Sequence, residues 1–200
     1  MASPSEQLPR AGLRERKKAR TRAAIQREAL RLFAQQGYAE TTVDEIAEAA
    51  EVSQSTFFRY FPTKEDVVLH DSLDPLLLAA FRDQPAELGP LAALRAALAQ
   101  LRAELPAEQW EREQARHVLV IAVPELRGRM LDGVLRMADM LGEVIAERSG
   151  RAPDDFALRV FAGALVGVAM TAMVDAPPPG HDYFGRFERA LELLEEGLPL

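Results

Sequence analysis

Cysteine is absent from this 200-residue sequence, and tryptophan occurs only once. Without cysteine the chain has neither a disulfide framework nor a thiolate metal site. Its three histidines are scattered, and it contains no glycine-rich phosphate loop, nucleophile elbow, paired zinc histidines or calcium loop. These absences argue against an enzyme, and we expect no catalytic residue, no cofactor and no metal.

Long hydrophobic runs and strand-like alternation are also lacking. The uncharged stretch Val160–Val174 is shorter than the roughly 20 residues that a membrane-spanning helix needs. No charged-then-apolar leader occurs at the N-terminus, so we expect a cytoplasmic protein without a membrane partner. Hydrophobic residues make up 48% and charged residues 28%, with Ala, Leu, Arg and Glu dominant. This composition predicts a globular, all-α protein.

Residues 42–61 carry the most informative local pattern, TVDEIAEAAEVSQSTFFRYF. Thr42 followed by Glu45 has the spacing of a capping box, and Ser53 is a second N-cap candidate. Pro62 ends the second helix. Two short helices with a tight break are typical of a helix-turn-helix, whose second helix places its N-terminal residues at DNA base edges. A helical hairpin in any all-α protein is the alternative interpretation of this pattern.

The distribution of charge favours the DNA-binding interpretation, although the net charge is −7. Between Arg10 and Arg31 there are nine Arg or Lys and only two Glu. Phosphates require a local positive surface rather than a basic protein as a whole. The excess of acidic residues therefore belongs to the rest of the chain.

The flanks of this pattern resemble the DNA-binding domain of the TetR family of repressors. The similar stretch is QREALRLFAQQGYAETTVDEIAEAAEVSQSTFFRYFPTKEDVV, about a quarter of the chain. The matching features are Phe33, Gly37-Tyr38, Thr41-Thr42-Val43, Ile46-Ala47, Val52-Ser53, Thr56-Phe57-Phe58-Arg59-Tyr60-Phe61 and Lys64-Glu65.

This resemblance implies a fold and a function. We expect a three-helix, helix-turn-helix DNA-binding domain over residues 13–74 and a helical ligand-binding and dimerisation domain over residues 75–200, with about nine helices in all. The implied function is a cytoplasmic repressor that binds a palindromic double-stranded DNA operator as a homodimer and leaves it when a small-molecule effector binds. The alternatives are a helical protein-interaction adaptor that does not bind DNA and, with less support, a small helical enzyme.

The family layout also implies roles for individual residues. Phosphate contacts are expected from Thr42, Tyr60 and Lys64, and base contacts from Gln54, Ser55 and Thr56. Phe57 is expected either on a thymine methyl group or in the core. The full set of expected DNA-binding residues is Thr42, Ser53, Gln54, Ser55, Thr56, Phe57, Arg59, Tyr60 and Lys64.

The later helices suggest an effector pocket that is apolar with few polar groups. Its expected walls are Trp110, His117, Ile121, Met130, Val134 and Met137, although each could be plain core. Glu113 and His117 are four residues apart and share a helix face, but no third metal-ligating His or Cys accompanies them nearby. A single helix from Thr63 to about Phe81 is predicted to connect the DNA-binding region to these helices.

The last two helices are predicted to form the dimer interface. The Val160–Val174 helix is apolar all round, and its glycines allow close approach of another helix. The last helix carries an apolar stripe from Phe184 to Leu194. The family solution is a four-helix bundle built from both subunits. The expected interface residues are Gly163, Gly167, Met170, Phe184, Phe187 and Leu191.

Overall fold

The computed structural model of the chain describes residues 12–152, 154–174 and 183–199. Within these ranges every regular element is a helix, which confirms the all-α prediction. The helices are α1 (Leu13–Gln36), α2 (Val43–Ala49), α3 (Gln54–Tyr60), α4 (Lys64–Leu69), α5 (Asp74–Arg82), α6 (Pro90–Glu104), α7 (Ala107–Ala122), α8 (Pro124–Ser149), α9 (Phe156–Val174) and α10 (Tyr183–Glu195). Contacts divide the chain into two units, the first ending at Val67 and the second starting at Val68.

The core of the first unit lies between α1, α2 and α3. Ile25 and Ala29 of α1, Ile46 of α2 and Phe57 of α3 are all completely buried. Burying a side chain of the size of Ile or Phe stabilises a fold by about 1.5–3 kcal/mol. Gln26 also lies in this core, where its amide Nε2 donates a hydrogen bond of 2.9 Å to the carbonyl of Val67.

Both caps that the sequence predicts around the helix-turn-helix are present. The Thr42 hydroxyl accepts from the backbone N–H of Glu45, and the Glu45 carboxylate accepts from the backbone N–H of Thr42 at 2.8 Å. Ser53 caps α3 by accepting from the backbone N–H of Thr56 at 3.1 Å. Between the helices, Glu51 takes a left-handed φ of 53°, which is uncommon for a residue other than glycine. The two caps and this one residue set the break between α2 and α3.

The single helix expected from Thr63 to about Phe81 is interrupted, so the described residues hold ten helices rather than about nine. The helix α4 ends at Leu69 and α5 begins at Asp74. Pro75 explains the interruption, because it has no backbone N–H and its ring clashes with the carbonyl four residues earlier, that of Asp71. The Asp71 carboxylate instead accepts from the backbone N–H groups of Leu73 at 2.8 Å and Asp74 at 3.3 Å.

The core of the second unit is built from the helices α5 to α10. The helix α8 packs against α7 and α9, α9 packs against α10, and α5 packs against α6. Fully buried side chains include Phe81, Leu94, Val144 and Leu191. Contacts divide the chain before the expected boundary at residue 74, and Leu73 packs with Leu101 and Phe184 in this second unit. Among the described residues, no helix has the length and apolar character to cross a membrane.

The apolar stripe of α10 faces the core of its own subunit, which corrects part of the expected dimer interface. Leu191 is completely buried and Phe184 is 9% exposed within a single chain, and Phe187 packs against the same core. Side chains that are already buried have no surface left to offer a partner. Phe184 and Leu191 are therefore core residues rather than interface residues.

Phe57→Ala is expected to destabilise the first unit strongly, because a completely buried phenylalanine leaves a cavity when it is truncated. The expected cost is about 3–5 kcal/mol. The adjacent Phe58→Ala is the matched control, since this ring is 45% exposed. Amide hydrogen exchange in α1–α3 measures the loss of protection. Equal losses for the two variants would contradict the assignment of Phe57 to the core.

Candidate functional site

The N-terminal half of α3 presents polar side chains to solvent. Ser53, Gln54 and Ser55 are exposed and Thr56 is half-buried. The Ser53 hydroxyl lies 2.9 Å from the Ser55 hydroxyl and 3.0 Å from that of Thr56. Gln54 donates from Nε2 to the carboxylate of Asp44 on α2. Donors and acceptors on one helix end are what the readout of base edges in a major groove requires.

The sequence left open whether Phe57 contacts a thymine methyl group or lies in the core, and the structure decides between these two positions. Phe57 is completely buried, so it cannot reach a thymine methyl group, and its expected contact with a base is dropped. Phe58 is 45% exposed, and its ring meets the Phe57 ring edge-on at a centroid distance of 5.4 Å. Phe58 is not among the DNA-binding residues expected from the sequence. Successive helical residues are about 100° apart, and this spacing already allows only one of the two rings to face the core.

Lys64 has partners within the first unit. Its ammonium donates to the carbonyls of Tyr38 at 2.8 Å and Thr41 at 3.0 Å and lies 4.3 Å from the centre of the Tyr38 ring. An ammonium has three N–H donors, so one remains for a phosphate. The hydroxyl of Thr42 is likewise engaged, because it donates to the Glu45 carboxylate at 2.9 Å.

Two further residues near the C-terminal end of α3 are half-buried or exposed. The guanidinium of Arg59, an exposed side chain, lies 5.5 Å from the ring centre of the half-buried Tyr60. It also donates to the Thr56 hydroxyl at 3.4 Å. These contacts orient Arg59 and Tyr60 on the outer surface of α3.

The basic run at the start of α1 is solvent-exposed. The exposed cations are Arg14, Arg16, Lys17, Lys18 and Arg20. Arg22 is half-buried, with its guanidinium 5.7 Å from the ring centre of Phe61. The first unit therefore combines a polar helix end with an exposed positive segment, which are the two features that DNA binding needs.

The second unit contains a cavity of about 200 Å³. It is lined mainly by aliphatic side chains, together with the aromatic residues Tyr183, Phe184 and Phe187. Four of the six expected pocket residues lie in its walls, namely His117, Met130, Val134 and Met137. Trp110 and Ile121 are not among the residues that line it. Trp110 instead packs against Phe184, with 4.0 Å between the centres of the two tilted rings.

A buried ion network closes one end of this cavity. Arg116 is 3% exposed and donates to Glu113 at 2.6 Å, to the carbonyl of Val68 at 3.2 Å and to the carboxylate of Asp71. The second oxygen of Glu113 accepts from the Ser72 hydroxyl at 2.9 Å. Both carboxylate oxygens of Glu113 therefore already accept hydrogen bonds within this network.

The pKa values at this end of the cavity follow from burial and from the neighbouring charges. Burial, together with the nearby Arg116 guanidinium, lowers the pKa of His117 to about 4, so the ring is neutral at pH 7. Burial opposes the charged form of Asp71, but Arg116 and the other neighbouring groups, including the backbone N–H groups of Leu73 and Asp74, together outweigh burial and hold the Asp71 pKa below its usual value. For Asp74, burial and the negative charge of Asp71 raise the pKa to about 7.

The expected pocket residues do not include Asp71, Asp74 or Arg116. Asp71 and Asp74 flank the break before Pro75, and this proline was the available signal that the chain turns there. Arg116 directly precedes His117, which was expected to line the pocket. Nothing in a helical pattern, however, distinguishes a buried arginine from a solvated one.

One face of α9 is exposed along most of the helix. Phe156 is 72% exposed and Val160 is 55% exposed, and Gly163 and Gly167 continue the same face at helical spacing. A Cβ atom added at either glycine would meet nothing within 4 Å. Met170 is half-buried next to this face. We call Phe156, Val160, Gly163 and Gly167 the α9 stripe.

Comparison with known proteins gives one consistent result. Residues 25–70 match the model described as bacterial regulatory proteins of the tetR family, and residues 88–199 match that of the MftR C-terminal domain. The chain is 42% identical over 151 residues to the HTH-type transcriptional regulator TcmR of Streptomyces glaucescens, covering 72% of this chain and 67% of TcmR. It is 28% identical over 146 residues to the putative mycofactocin biosynthesis transcriptional regulator MftR of Mycobacterium tuberculosis, covering 72% and 73%.

Solved structures agree with these relatives. The TetR-family transcriptional repressor FadR of Thermus thermophilus, determined in complex with lauroyl-CoA, has 30% sequence identity and a TM-score of 0.53, with 90% of this chain and 95% of that chain covered. Together with the two family models, this similarity confirms the resemblance that residues 26–68 suggested. The chain belongs to the TetR family and is a DNA-binding transcriptional regulator with an N-terminal helix-turn-helix domain and a C-terminal helical domain.

Proposed function

We propose that this regulator is a cytoplasmic repressor that binds a palindromic operator as a homodimer and leaves it when a small apolar or amphipathic molecule occupies the C-terminal cavity. The observation that carries the effector part is the cavity itself, about 200 Å³ with mainly aliphatic and aromatic walls. Ligand sites of this kind are concave and mostly apolar, with a few placed polar groups. The complex of the similar FadR with lauroyl-CoA supports the same function for the corresponding domain.

The proposed DNA surface is the outer face of α3 together with the start of α4. Gln54, Ser55 and Thr56 are proposed to contact bases, with Ser53 fixing the helix end on which they lie. Phe58 replaces Phe57 as the apolar contact to a thymine methyl group, because it is the exposed ring of the two. Phosphate contacts are proposed for Thr42, Arg59, Tyr60 and Lys64.

Lys64→Ala and Gln54→Ala are expected to weaken DNA binding in different ways. A phosphate contact carries no sequence information, so Lys64→Ala should weaken all sequences about equally and reduce the salt slope by roughly one unit. Gln54→Ala should change base preference, by about 1–3 kcal/mol at one operator position. Binding to a randomised operator library at two salt concentrations measures both effects. A uniform loss on all sequences for Gln54→Ala would refute its role at the bases.

Homodimerisation is proposed to use the α9 stripe. Small residues at helical spacing allow two helix backbones to approach closely, and Phe156 and Val160 supply exposed apolar surface. Met170 is proposed to pack at the edge of the stripe. Since Phe184 and Leu191 face the core of their own subunit, α10 contributes its outer surface rather than its apolar stripe. A two-fold dimer would present two α3 helices to a palindromic site.

Gly167→Leu is expected to produce monomers with poor operator affinity. Within one chain the new side chain has open space at its Cβ, so the change should leave the fold of the subunit intact and obstruct only a partner. Gly128→Leu is the matched control, because Gly128 is also an exposed helical glycine with open space around it. Sedimentation at micromolar concentration measures the oligomeric state. If Gly167→Leu remains dimeric, the interface lies elsewhere.

Effector control is proposed to act through the end of α4. Leu69, the last residue of α4, lies in the cavity wall, and the neighbouring carbonyl of Val68 is held by Arg116. A ligand that displaces Leu69 moves the helix whose first residue is Lys64. The coupling expected between ligand and operator is about 1–3 kcal/mol, and it is reciprocal.

Met137→Trp is expected to fill the cavity and abolish induction while leaving operator affinity in the absence of ligand unchanged. Leu135→Trp is its control on the same helix, since Leu135 is 46% exposed. Operator affinity is measured with and without an inducing compound, and the affinity for that compound is measured with and without operator DNA. Full induction in Met137→Trp would exclude the cavity as the effector site.

A further inference from the structure

The polar end of the cavity has more buried or half-buried acidic groups than buried basic groups. Three carboxylates lie near a single buried cation, Arg116; they belong to Asp71, Asp74 and Glu113. Burial keeps His117 neutral at pH 7. The only other charged side chains in the cavity wall, within the described part of the chain, are Arg129 and Arg136 of α8. Both are exposed to water, which weakens their effect. The charge of Arg136 acts to lower the pKa of Asp74, but burial and the neighbouring carboxylates outweigh it.

The hydrogen bonds distinguish Asp74 from the other two carboxylates. Glu113 accepts from Arg116 and Ser72, and Asp71 accepts from Arg116 and from two backbone N–H groups. The carboxylate of Asp74 accepts no hydrogen bond from any described residue. Asp74 is half-buried, and a partly desolvated carboxylate without a protein donor favours a proton or a positively charged partner, which agrees with the raised pKa of Asp74.

His117 provides a second, independent acceptor in the same wall. Its ring is 5% exposed, and Nδ1 lies 2.8 Å from the backbone carbonyl of Glu113. A carbonyl only accepts, so Nδ1 carries the proton and Nε2 has a free lone pair. None of the described residues donates to Nε2. A polar group buried to this extent requires a partner, and the cavity is where a donor can enter.

The rest of the cavity suits a ring system. Tyr183 stacks on His117 at a centroid distance of 4.2 Å, and Phe184 meets His117 edge-on at 5.3 Å. A cavity of about 150 Å³ binds benzene in another protein, so a cavity of about 200 Å³ accommodates a slightly larger aromatic group. Aromatic faces also attract cations.

We propose that the effector cavity binds an organic cation, whose apolar ring lies among Tyr183, Phe184 and the aliphatic walls and whose ammonium group is bound by Asp74, with His117 Nε2 as a further acceptor. This inference rests on the proposed effector role of the cavity and specifies the chemistry of the effector. When the ammonium group binds, it keeps its own proton, and Asp74 releases its proton to solvent. An organic anion is disfavoured by the same three carboxylates.

The test compares three compounds that share one ring system: 2-(1-naphthyl)ethylamine, the corresponding alcohol and 1-naphthylacetic acid. Their affinities for the full-length protein are measured by titration calorimetry at pH 7.5, where an alkylamine is protonated. We expect the amine to bind at least tenfold more tightly than the alcohol, and the acid to bind most weakly. Repeating the amine titration near pH 7 in buffers of different ionisation enthalpy should show proton release.

Asp74→Asn tests whether Asp74 causes the preference for the amine over the alcohol, and Asp132→Asn is its control. Asp74→Asn should remove the advantage of the amine over the alcohol and abolish proton release, while it relieves repulsion from Asp71 and so does not endanger the fold. Asp132→Asn, an exposed aspartate of α8 outside the cavity wall, should behave like the wild type. A preference for the amine that survives Asp74→Asn overturns the proposal, as does tighter binding of the acid or no binding of any of the three compounds.

Operator binding separates this inference from the proposed function. If the amine binds through Asp74 but leaves operator affinity unchanged, the ligand class is correct and the effector role of the cavity fails. If the acid or the alcohol releases the operator while the amine does not bind, the effector role is supported and the inference of a cation is wrong.

Discussion

The contacts of Arg116 determine the arrangement of the C-terminal cavity. This nearly inaccessible guanidinium joins Glu113 of α7, Asp71 in the break between α4 and α5, and the backbone carbonyl of Val68. Removing one partner of a buried ion pair typically costs about 3–5 kcal/mol, because a charge is then left without compensation. The network therefore fixes the break before α5, and through it the positions of Leu69 and Asp74 in the cavity wall.

The same network explains why the cavity is chemically asymmetric. One guanidinium donates to both Glu113 and Asp71 and has no hydrogen bond to Asp74, so an ionised Asp74 adds a further negative charge unless it is protonated or has a cationic partner. All other walls are aliphatic or aromatic, apart from two solvent-exposed arginines. Selectivity in such a site rests on a few buried polar groups, because an apolar wall discriminates weakly between ligands of similar shape.

The helical class and the caps at Thr42 and Ser53 could be predicted from the sequence, since each depends on residues close together in the chain. The three-helix DNA-binding domain was expected from the family resemblance. Predictions that required knowledge of which helix packs where were less accurate. The apolar stripe of α10 has the periodicity of an interface, but the same periodicity fits packing against its own subunit, as Leu191 shows. The adjacent rings of Phe57 and Phe58 could be assigned only once the α1–α3 core was known. The Asp71–Arg116–Glu113 network joins residues more than 40 positions apart and leaves no local pattern.

The burial of the α10 stripe also restricts how two subunits can associate. A four-helix interface formed from apolar stripes on both α9 and α10 would need Phe184 and Leu191 at the surface. Both side chains are instead buried in the core of their own chain. The exposed apolar residues of this region lie on α9, which offers Phe156 and Val160 beside two glycines with open space around them. The outer surface of α10 is more polar, with Arg189 exposed and paired to Glu192 at 3.1 Å. In the proposed dimer, α9 would supply the close contact between helices, and the charged outer surface of α10 would contribute to the register of the two subunits more than to their affinity.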